Sequence, residues 1–207
     1  NDPTVKGIWC VPKYSNPDGF TYSDEVVDRF AALMPAAADF RIFWDDAYAI
    51  HHLYDDDQDV IPELLTECEK VGSEDMVYKF ISTSKVSFPG SGIAAMAASE
   101  ANLQDARRWM NYQTIGHDKL NQLRHVRFFK DMDGMHEHMK KHAAILRPKF
   151  ELVQKTLEEG LGGLEIGSWT KPKGGYFISF DSLEGCAKKI VTMAKEAGLV
   201  LTGAGAT

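Results

Sequence analysis

Short apolar runs alternate with amphipathic segments through the first half of the chain. The runs Val5–Val11, Phe40–Trp44 and Val77–Ser82 are short for helices and predict buried strands. Between them, helical periodicity begins after Ser23, a typical N-cap residue, and resumes at Val60. This alternation predicts an α/β sheet with crossover helices. The near-continuous apolar character of the strands predicts that other elements cover both faces of the sheet.

The second half of the chain has a different pattern of predicted helices and strands. After Ile93–Ala98, a predicted strand of small residues against which another element should pack closely, Ser99 predicts a helix to Tyr112. A long helical stretch, His117–Gly160, follows and is interrupted near Asp131–Gly134. Beyond it we expect a small α+β unit. Its predicted strands are Ser168–Thr170, Gly175–Phe180 and Leu199–Thr202, and its predicted helix is Leu183–Ala197.

Both ends of the chain predict that it is a fragment of a longer protein. The chain opens at Asn1 without a methionine and closes on a predicted strand and glycine-rich turn, Leu201–Thr207. Natural domains seldom begin and end against core elements. We expect part of a large sheet domain at residues 1–115, a connecting helical region at 116–146 and a truncated small domain at 147–207.

Composition argues against several classes of protein. The net charge is −7 and no basic tract is present, which argues against a nucleic-acid-binding surface. No apolar run approaches the roughly 20 residues of a membrane-spanning helix. The three cysteines are odd in number and lack metal-site spacing, so we interpret them as buried thiols in a reducing cytoplasm.

Two loops that follow predicted strands contain residues suited to ligand binding. The first, Ser15–Gly19, includes Asn16, but its residues are also typical of an ordinary surface turn. The second begins with Asp45 and continues to Tyr48. Its acidic pair could cap a helix or bind a metal, but further well-spaced metal ligands are absent. His51 and His52 lie nearby, but they are expected to be solvated loop residues.

A third loop, after the strand Val77–Ser82, contains Lys85 three residues beyond Ser82. A lysine at the end of a buried strand is expected in a partly desolvated pocket, where burial lowers the pKa of the amine and favours Schiff-base chemistry. The alternative is a surface lysine, which most lysines are. All three loops leave the carboxyl ends of strands, the edge of an open α/β sheet at which ligands bind.

In this order and spacing, the three loops resemble those of the fold-type I aminotransferases, which carry Asn-Pro-x-Gly, Asp-x-x-Tyr and Ser-x-x-Lys motifs. The matching residues here are Asn16, Asp45, Tyr48, Ser82 and Lys85. The segment Trp169–Phe177 is similar to the glycine-rich aromatic strand of the family's small domain. The motifs KYSNPDG, FWDDAYAIHHL and STSKVSFPG are most similar to bacterial aspartate aminotransferases of subgroup Ic.

The resemblance implies a fold, a cofactor and a role for each matching residue. It implies an α/β fold, with the C-terminal half of the large sheet domain and most of a small α+β domain. It also implies pyridoxal 5′-phosphate bound as a Schiff base to Lys85, which then moves a proton. Asp45 would pair with the pyridine nitrogen, Asn16 and Tyr48 would bond the ring oxygen, and Ser82 would hold the phosphate.

The chain departs from the family pattern at the phosphate site. Members usually carry an arginine seven or eight residues beyond the lysine, where this chain has Gly92 and Ile93. The substrate arginine of other aspartate aminotransferase subgroups comes from a partner subunit. Arg124 lies close to that position, but its local motif does not match. It is therefore a candidate for binding the distal carboxylate of the substrate, with a helix-surface arginine paired to Asp118 as the alternative.

The resemblance favours transamination between aspartate and 2-oxoglutarate in a cytoplasmic homodimer with a shared active site. The same residues would serve an alanine, aromatic or kynurenine aminotransferase. They would also suit the effector domain of a transcription regulator, or a folded non-catalytic remnant. The resemblance implies that a phosphate-binding turn, a ring-stacking aromatic residue and the arginine for the substrate α-carboxylate lie outside these 207 residues.

Overall fold

A four-stranded mixed sheet forms the centre of the computed structural model, which describes residues 2–203. Its strands are β1 (Gly7–Cys10), β2 (Arg41–Asp45), β3 (Val77–Ser82) and β4 (Ala94–Ala98), in the spatial order β1-β2-β3-β4. The first three are parallel and β4 is antiparallel to β3. The predicted α/β sheet is therefore confirmed. Asn1 and Ala204–Thr207, with most of the predicted terminal turn, lie outside the described residues.

Two helices, α1 (Asp24–Ala31) and α2 (Leu64–Val71), connect the parallel strands, with a short 3₁₀ turn at Glu74–Met76 before β3. The second half contains α3 (Glu100–Gln113), α4 (Lys119–Phe129), α5 (Met132–Leu161), β5 (Gly167–Trp169), β6 (Phe180–Ser182) and α6 (Ala187–Glu196). Ser23 and Ser99 accept backbone N–H groups at the starts of α1 and α3, as predicted for N-caps. No helix within residues 2–203 is both long and apolar enough to cross a membrane.

Helices cover one face of the sheet. On that face Ile42 and Trp44 are buried against Val27 and Leu64, which α1 and α2 supply. The opposite face carries stacked aromatic rings, Trp9 on Phe43 and Phe43 on Phe80, and Trp9 is 64% exposed. The expectation that both faces are covered is not met by residues 2–203. The alanines of β4 are also largely exposed, and the close neighbour expected there is absent from the described part.

The predicted break in the long helical region is confirmed. The chain turns at Lys130, whose φ is +68°, and the side chain of Asp131 caps α5 by accepting the N–H of Gly134 at 2.8 Å. Helix α5 then runs unbroken past residue 146, so the domain boundary predicted there falls inside one helix.

Two predicted strands of the small unit are wrong. Gly175–Phe180 is extended only at its end, because its first residues pair with the loop after β2: the Gly175 N–H donates to the His51 carbonyl at 2.8 Å. Leu199–Thr202 is irregular and exposed. Within residues 2–203 no strand lies beside it to satisfy its backbone, and a lone strand is not stable.

Candidate active site

The three candidate loops meet at one edge of the sheet. Strands β1, β2 and β3 are parallel neighbours, so their carboxyl ends point the same way. The loops that carry Asn16, Asp45 and Lys85 leave from these ends. The edge is thus the place where the sequence motifs converge, as the α/β pattern predicts.

Alternation along β2 separates its two terminal aspartates. Asp45 lies on the aromatic face, where it accepts the Trp9 indole N–H at 3.3 Å. Asp46 turns toward the helical face and forms an ion pair with Lys79 at 3.2 Å, with both side chains largely buried. Lys79 also pairs with Glu63. Of the two, Asp45 is therefore the carboxylate that stands outside the internal ion-pair network.

Tyr48 and Lys85 lie against each other at this edge. The Lys85 Nζ atom is 5.1 Å from the centre of the Tyr48 ring, within cation–π range. Tyr48 is buried, and burial followed by the charge of Asp45 raises the pKa of its phenol. The expected desolvated pocket for Lys85 is not found, because the residue is exposed in residues 2–203. The described chain covers the lysine from one side only.

The backbone carbonyl of Lys85 accepts two side-chain hydrogen bonds. The His51 Nε2 donates to it at 3.2 Å and the Tyr176 hydroxyl at 3.0 Å. His51 is buried, and burial lowers its pKa to about 4. The expectation that His51 and His52 are solvated is wrong. The His52 Nδ1 lies 2.8 Å from the hydroxyl of the buried Tyr14.

Sequence analysis did not assign a function to His51, although a signal was present. His51 follows Tyr48 by three residues, and its N–H bonds to the Tyr48 carbonyl at 3.1 Å, as in a helical turn. That spacing places two rings on one side of a turn. Their centroids are 5.5 Å apart. Tyr176 lies in the segment Trp169–Phe177 that resembles the family's aromatic strand, but no local pattern predicts its contact with Lys85, because it reaches the lysine from the small unit.

The Asn16 loop packs against the segment that carries Tyr176. Gly19 has a φ of +73°, and a Cβ at this position would lie 2.8 Å from the Phe177 carbonyl. Only glycine therefore fits between the two segments without strain. Asn16 itself is exposed at the loop tip. It lies at the same edge of the sheet as Tyr48 and Lys85, beside the segment that contacts Lys85.

Hydroxyl groups cluster in the turn after β3. The Ser84 N–H donates to the Ser82 Oγ at 3.4 Å, and Gly92 packs directly against Ser84. A Cβ on Gly92 would lie 2.9 Å from the Ser84 Oγ and 3.0 Å from its backbone nitrogen. This close contact gives a physical reason why the larger residue common in the resembling family is absent from position 92.

Arg124 contacts the same turn from helix α4. Its guanidinium donates to the Ser91 carbonyl at 3.0 Å and to the Asn121 side chain at 2.5 Å. The alternative pairing with Asp118 is not found in the described part of the chain, where Asp118 instead caps α4. Arg124 is exposed beside the turn that follows Lys85.

Comparison with known proteins decides the family. The family model described as "Aspartate amino-transferase" matches residues 1–207, the whole chain. The chain belongs to the aspartate aminotransferase family.

Relatives of known sequence support this family assignment. A protein of Mycolicibacterium smegmatis whose name places it among the aminotransferases is 46% identical over 99% of this chain. An aspartate aminotransferase of Corynebacterium glutamicum is 42% identical over 100% of this chain. In each case the chain spans 48% of the relative's length, so it corresponds to about half of these aminotransferases.

The fold agrees with the same family. The crystal structure of an aspartate transaminase from Corynebacterium glutamicum superimposes with a TM-score of 0.94 at 42% identity. The match covers 99% of this chain and 48% of that one. The predicted fold class, part of the fold-type I sheet domain with a small α+β unit, is thereby confirmed.

The aspartate aminotransferase family implies pyridoxal phosphate, and the residues at the sheet edge fit that group. A fitting site needs an amine for the aldehyde carbon, a carboxylate for the ring nitrogen and donors for the phosphate. Lys85 offers an exposed amine, Asp45 offers a carboxylate outside the ion-pair network, and the Ser82–Ser84 turn offers hydroxyls. Within residues 2–203, no cluster of three His, Cys, Asp or Glu side chains suits a metal ion.

Proposed function

We propose that the full-length protein carrying this chain is a pyridoxal-phosphate-dependent aminotransferase in which Lys85 binds the cofactor. The observation that carries the proposal is the position of Lys85. Its amine lies over Tyr48 at the carboxyl edge of the sheet, where the charge of Asp45 acts on the Tyr48 phenol, and its carbonyl accepts hydrogen bonds from two side chains. Membership of the aspartate aminotransferase family supports the same chemistry.

Each residue at the edge has a defined task in this proposal. When bound, pyridoxal phosphate supplies an electron-accepting ring. Asp45 would place a negative charge beside the ring nitrogen, while Asn16 and Tyr48 would donate hydrogen bonds to the ring oxygen. Ser82 would bind the phosphate. The Lys85 amine would hold the cofactor and would serve as the base for the proton of the substrate α-carbon.

We further propose aspartate and 2-oxoglutarate as the substrates. Support comes from the name of the Corynebacterium glutamicum relative, an aspartate aminotransferase at 42% identity. Arg124 is the candidate in this chain for the distal carboxylate, because its guanidinium carries no acidic partner in the described residues. A planar guanidinium binds a carboxylate through two parallel hydrogen bonds.

Borohydride reduction of the full-length protein, followed by peptide mapping, tests the cofactor assignment. We expect the reduced cofactor on Lys85, and a Lys85→Arg variant should lose both the label and the turnover of aspartate. The matched control is Lys79→Arg, which keeps its charge in the ion pair with Asp46 and should keep the label. Cofactor on a different lysine would overturn the assignment.

Kinetics of an Arg124→Ala variant test the substrate assignment. If Arg124 binds the distal carboxylate, kcat/KM should fall far more for aspartate than for alanine. The difference should be on the order of 2–3 kcal/mol, typical of a lost charge-assisted hydrogen bond. Equal losses for both substrates would return Arg124 to a structural role, and weaker cofactor binding would instead identify it as a phosphate ligand.

Assembly and compartment complete the proposal. We infer a homodimer, as the family resemblance implies, with the active site shared between subunits. We also infer a reducing compartment, the cytoplasm. Cys10, Cys68 and Cys186 are all free thiols within residues 2–203, and Cys10 in β1 and Cys68 in α2 are buried in the same core cluster without forming a disulfide.

A further inference from the structure

The turn that carries Lys85 is held by side chains from several distant elements. The His138 Nε2 on α5 lies 2.9 Å from the Val86 carbonyl. The His125 Nε2 on α4 lies 2.7 Å from the Ser87 hydroxyl. His51 and Tyr176 add the two hydrogen bonds to the Lys85 carbonyl described above.

The partners of these histidines determine which ring nitrogens donate hydrogen bonds. A carbonyl oxygen only accepts, so His51 and His138 must donate from Nε2. The His125 Nδ1 lies 2.9 Å from the Asn121 carbonyl and donates to it. Its Nε2 lies within hydrogen-bond distance of the Ser87 and Thr83 hydroxyls. Three imidazoles thus contact one turn.

Packing makes the turn a rigid part of the molecule on the side of α4 and α5. Val86 is 3% exposed and packs in a cluster with Phe129 and Met139. His125 is 4% exposed, and its ring lies 6.1 Å from that of Phe129. Apolar burial and hydrogen bonding therefore act on the same few residues, immediately next to Lys85.

The turn is also joined to the start of β4. The Thr83 N–H donates to the Ile93 carbonyl at 2.9 Å, and the Ile93 N–H donates to the Thr83 hydroxyl at 2.9 Å. The same Thr83 hydroxyl is 3.1 Å from the His125 Nε2. The Thr83 hydroxyl therefore links the start of β4 to the buried His125.

We propose that His51, His125, His138 and Tyr176 are positioning residues that hold the backbone of the Lys85 turn for cofactor binding. The lysine side chain is long and flexible, so the position of its amine depends on how firmly its backbone is held. A loosened turn would weaken cofactor binding and alter the environment of the bound cofactor. The inference rests on the proposed function, because it requires Lys85 to carry the cofactor.

The test uses the full-length protein and His138. We expect His138→Leu to weaken pyridoxal phosphate binding to the apoprotein about tenfold, the effect of one lost hydrogen bond to a buried carbonyl. It should also shift the pH at which the absorption spectrum of the bound cofactor changes. His138→Gln, whose amide can donate from a similar position, should recover most of both. The control is His136→Leu, exposed on the same helix, which should match the wild type.

Tyr176→Phe gives a second test that preserves packing. It removes only the hydroxyl, so the ring keeps its contacts with Tyr48 and His51. We expect about threefold weaker cofactor binding, since His51 still donates to the Lys85 carbonyl. Tyr78→Phe is the matched control, because the Tyr78 hydroxyl bonds to Asn102, away from the turn.

The outcomes separate this inference from the function on which it rests. Wild-type cofactor affinity and an unchanged spectral pH profile in both His138→Leu and Tyr176→Phe would overturn the positioning role. So would a His138→Gln variant as impaired as His138→Leu. If His138→Leu fails to fold, the comparison of Tyr176→Phe with its control Tyr78→Phe tests the positioning role. A wild-type protein that attaches no cofactor at Lys85 would instead remove the proposed function.

Discussion

At the residue scale, Asp45 and Asp46 differ in surroundings, so the same substitution should have different effects. Asp45→Asn should lower turnover of aspartate by orders of magnitude, because the amide cannot keep the ring nitrogen protonated. Asp46→Asn weakens the ion pair with Lys79, which retains Glu63. It should keep most turnover and lose about 1–3 kcal/mol of unfolding free energy. Steady-state kinetics and urea unfolding measure the two effects, and equal losses of turnover would contradict the assignment.

His51 should make stability depend on pH. Burial lowers the pKa of His51 from 6.5 to about 4; the hydrogen bond to the Lys85 carbonyl opposes this shift, and the charges of His142 and Lys85 add to it. Between these values the unfolded chain binds the proton more readily than the folded one. The free energy of unfolding should therefore fall as pH drops from about 6.5 toward 4, by on the order of 3 kcal/mol for this group.

Chemical unfolding across that pH range checks the prediction. Carboxylates also titrate near its lower end, so the informative quantity is the difference between the wild type and a His51→Gln variant. The variant cannot take up the proton, and its stability should depend less on pH over this range. Parallel curves for the two proteins would show that His51 is not the group responsible.

At the element scale, two glycines of α5 test why the long helical region breaks where it does. A Cβ on Gly134 would lie 1.9 Å from the Phe129 carbonyl, while nothing lies within 4 Å of a Cβ on Gly160. Gly134→Ala should therefore force the α4–α5 junction apart and cost roughly 1–3 kcal/mol. Gly160→Ala should stabilise the helix by up to about 1 kcal/mol. Thermal unfolding compares them, and similar shifts in Tm would contradict this account.

At the scale of the whole molecule, assembly is the property that most needs testing. Large apolar side chains along and after α3 are exposed, among them Tyr112, Ile115 and Leu120. Such a surface is typical of an interface with another chain. We expect the full-length protein to sediment as a dimer, and Ile115→Asp to shift it toward a less active monomer. A fully active wild-type monomer would refute the shared active site.

Local patterns were sufficient to predict the sheet, the N-caps, the α4–α5 break and the order of the candidate loops. Each depends on residues close in sequence: alternation and apolar runs for strands, hydroxyl or carboxylate side chains for caps. The same locality explains the failures. Leu199–Thr202 has the composition of a strand, but a strand also needs a partner, which composition alone cannot supply.

The sequence by itself determined the fold class and the family, because both follow from the spacing of motifs along the chain. Only the tertiary structure decided which face each aspartate occupies and which side chains hold Lys85. His51 meets the Lys85 carbonyl across 34 residues and Tyr176 across 91. Contacts of such separation arise from the parallel order of the strands and the return of the small unit over their edge. Packing of the whole chain, which no local pattern encodes, brings these groups together.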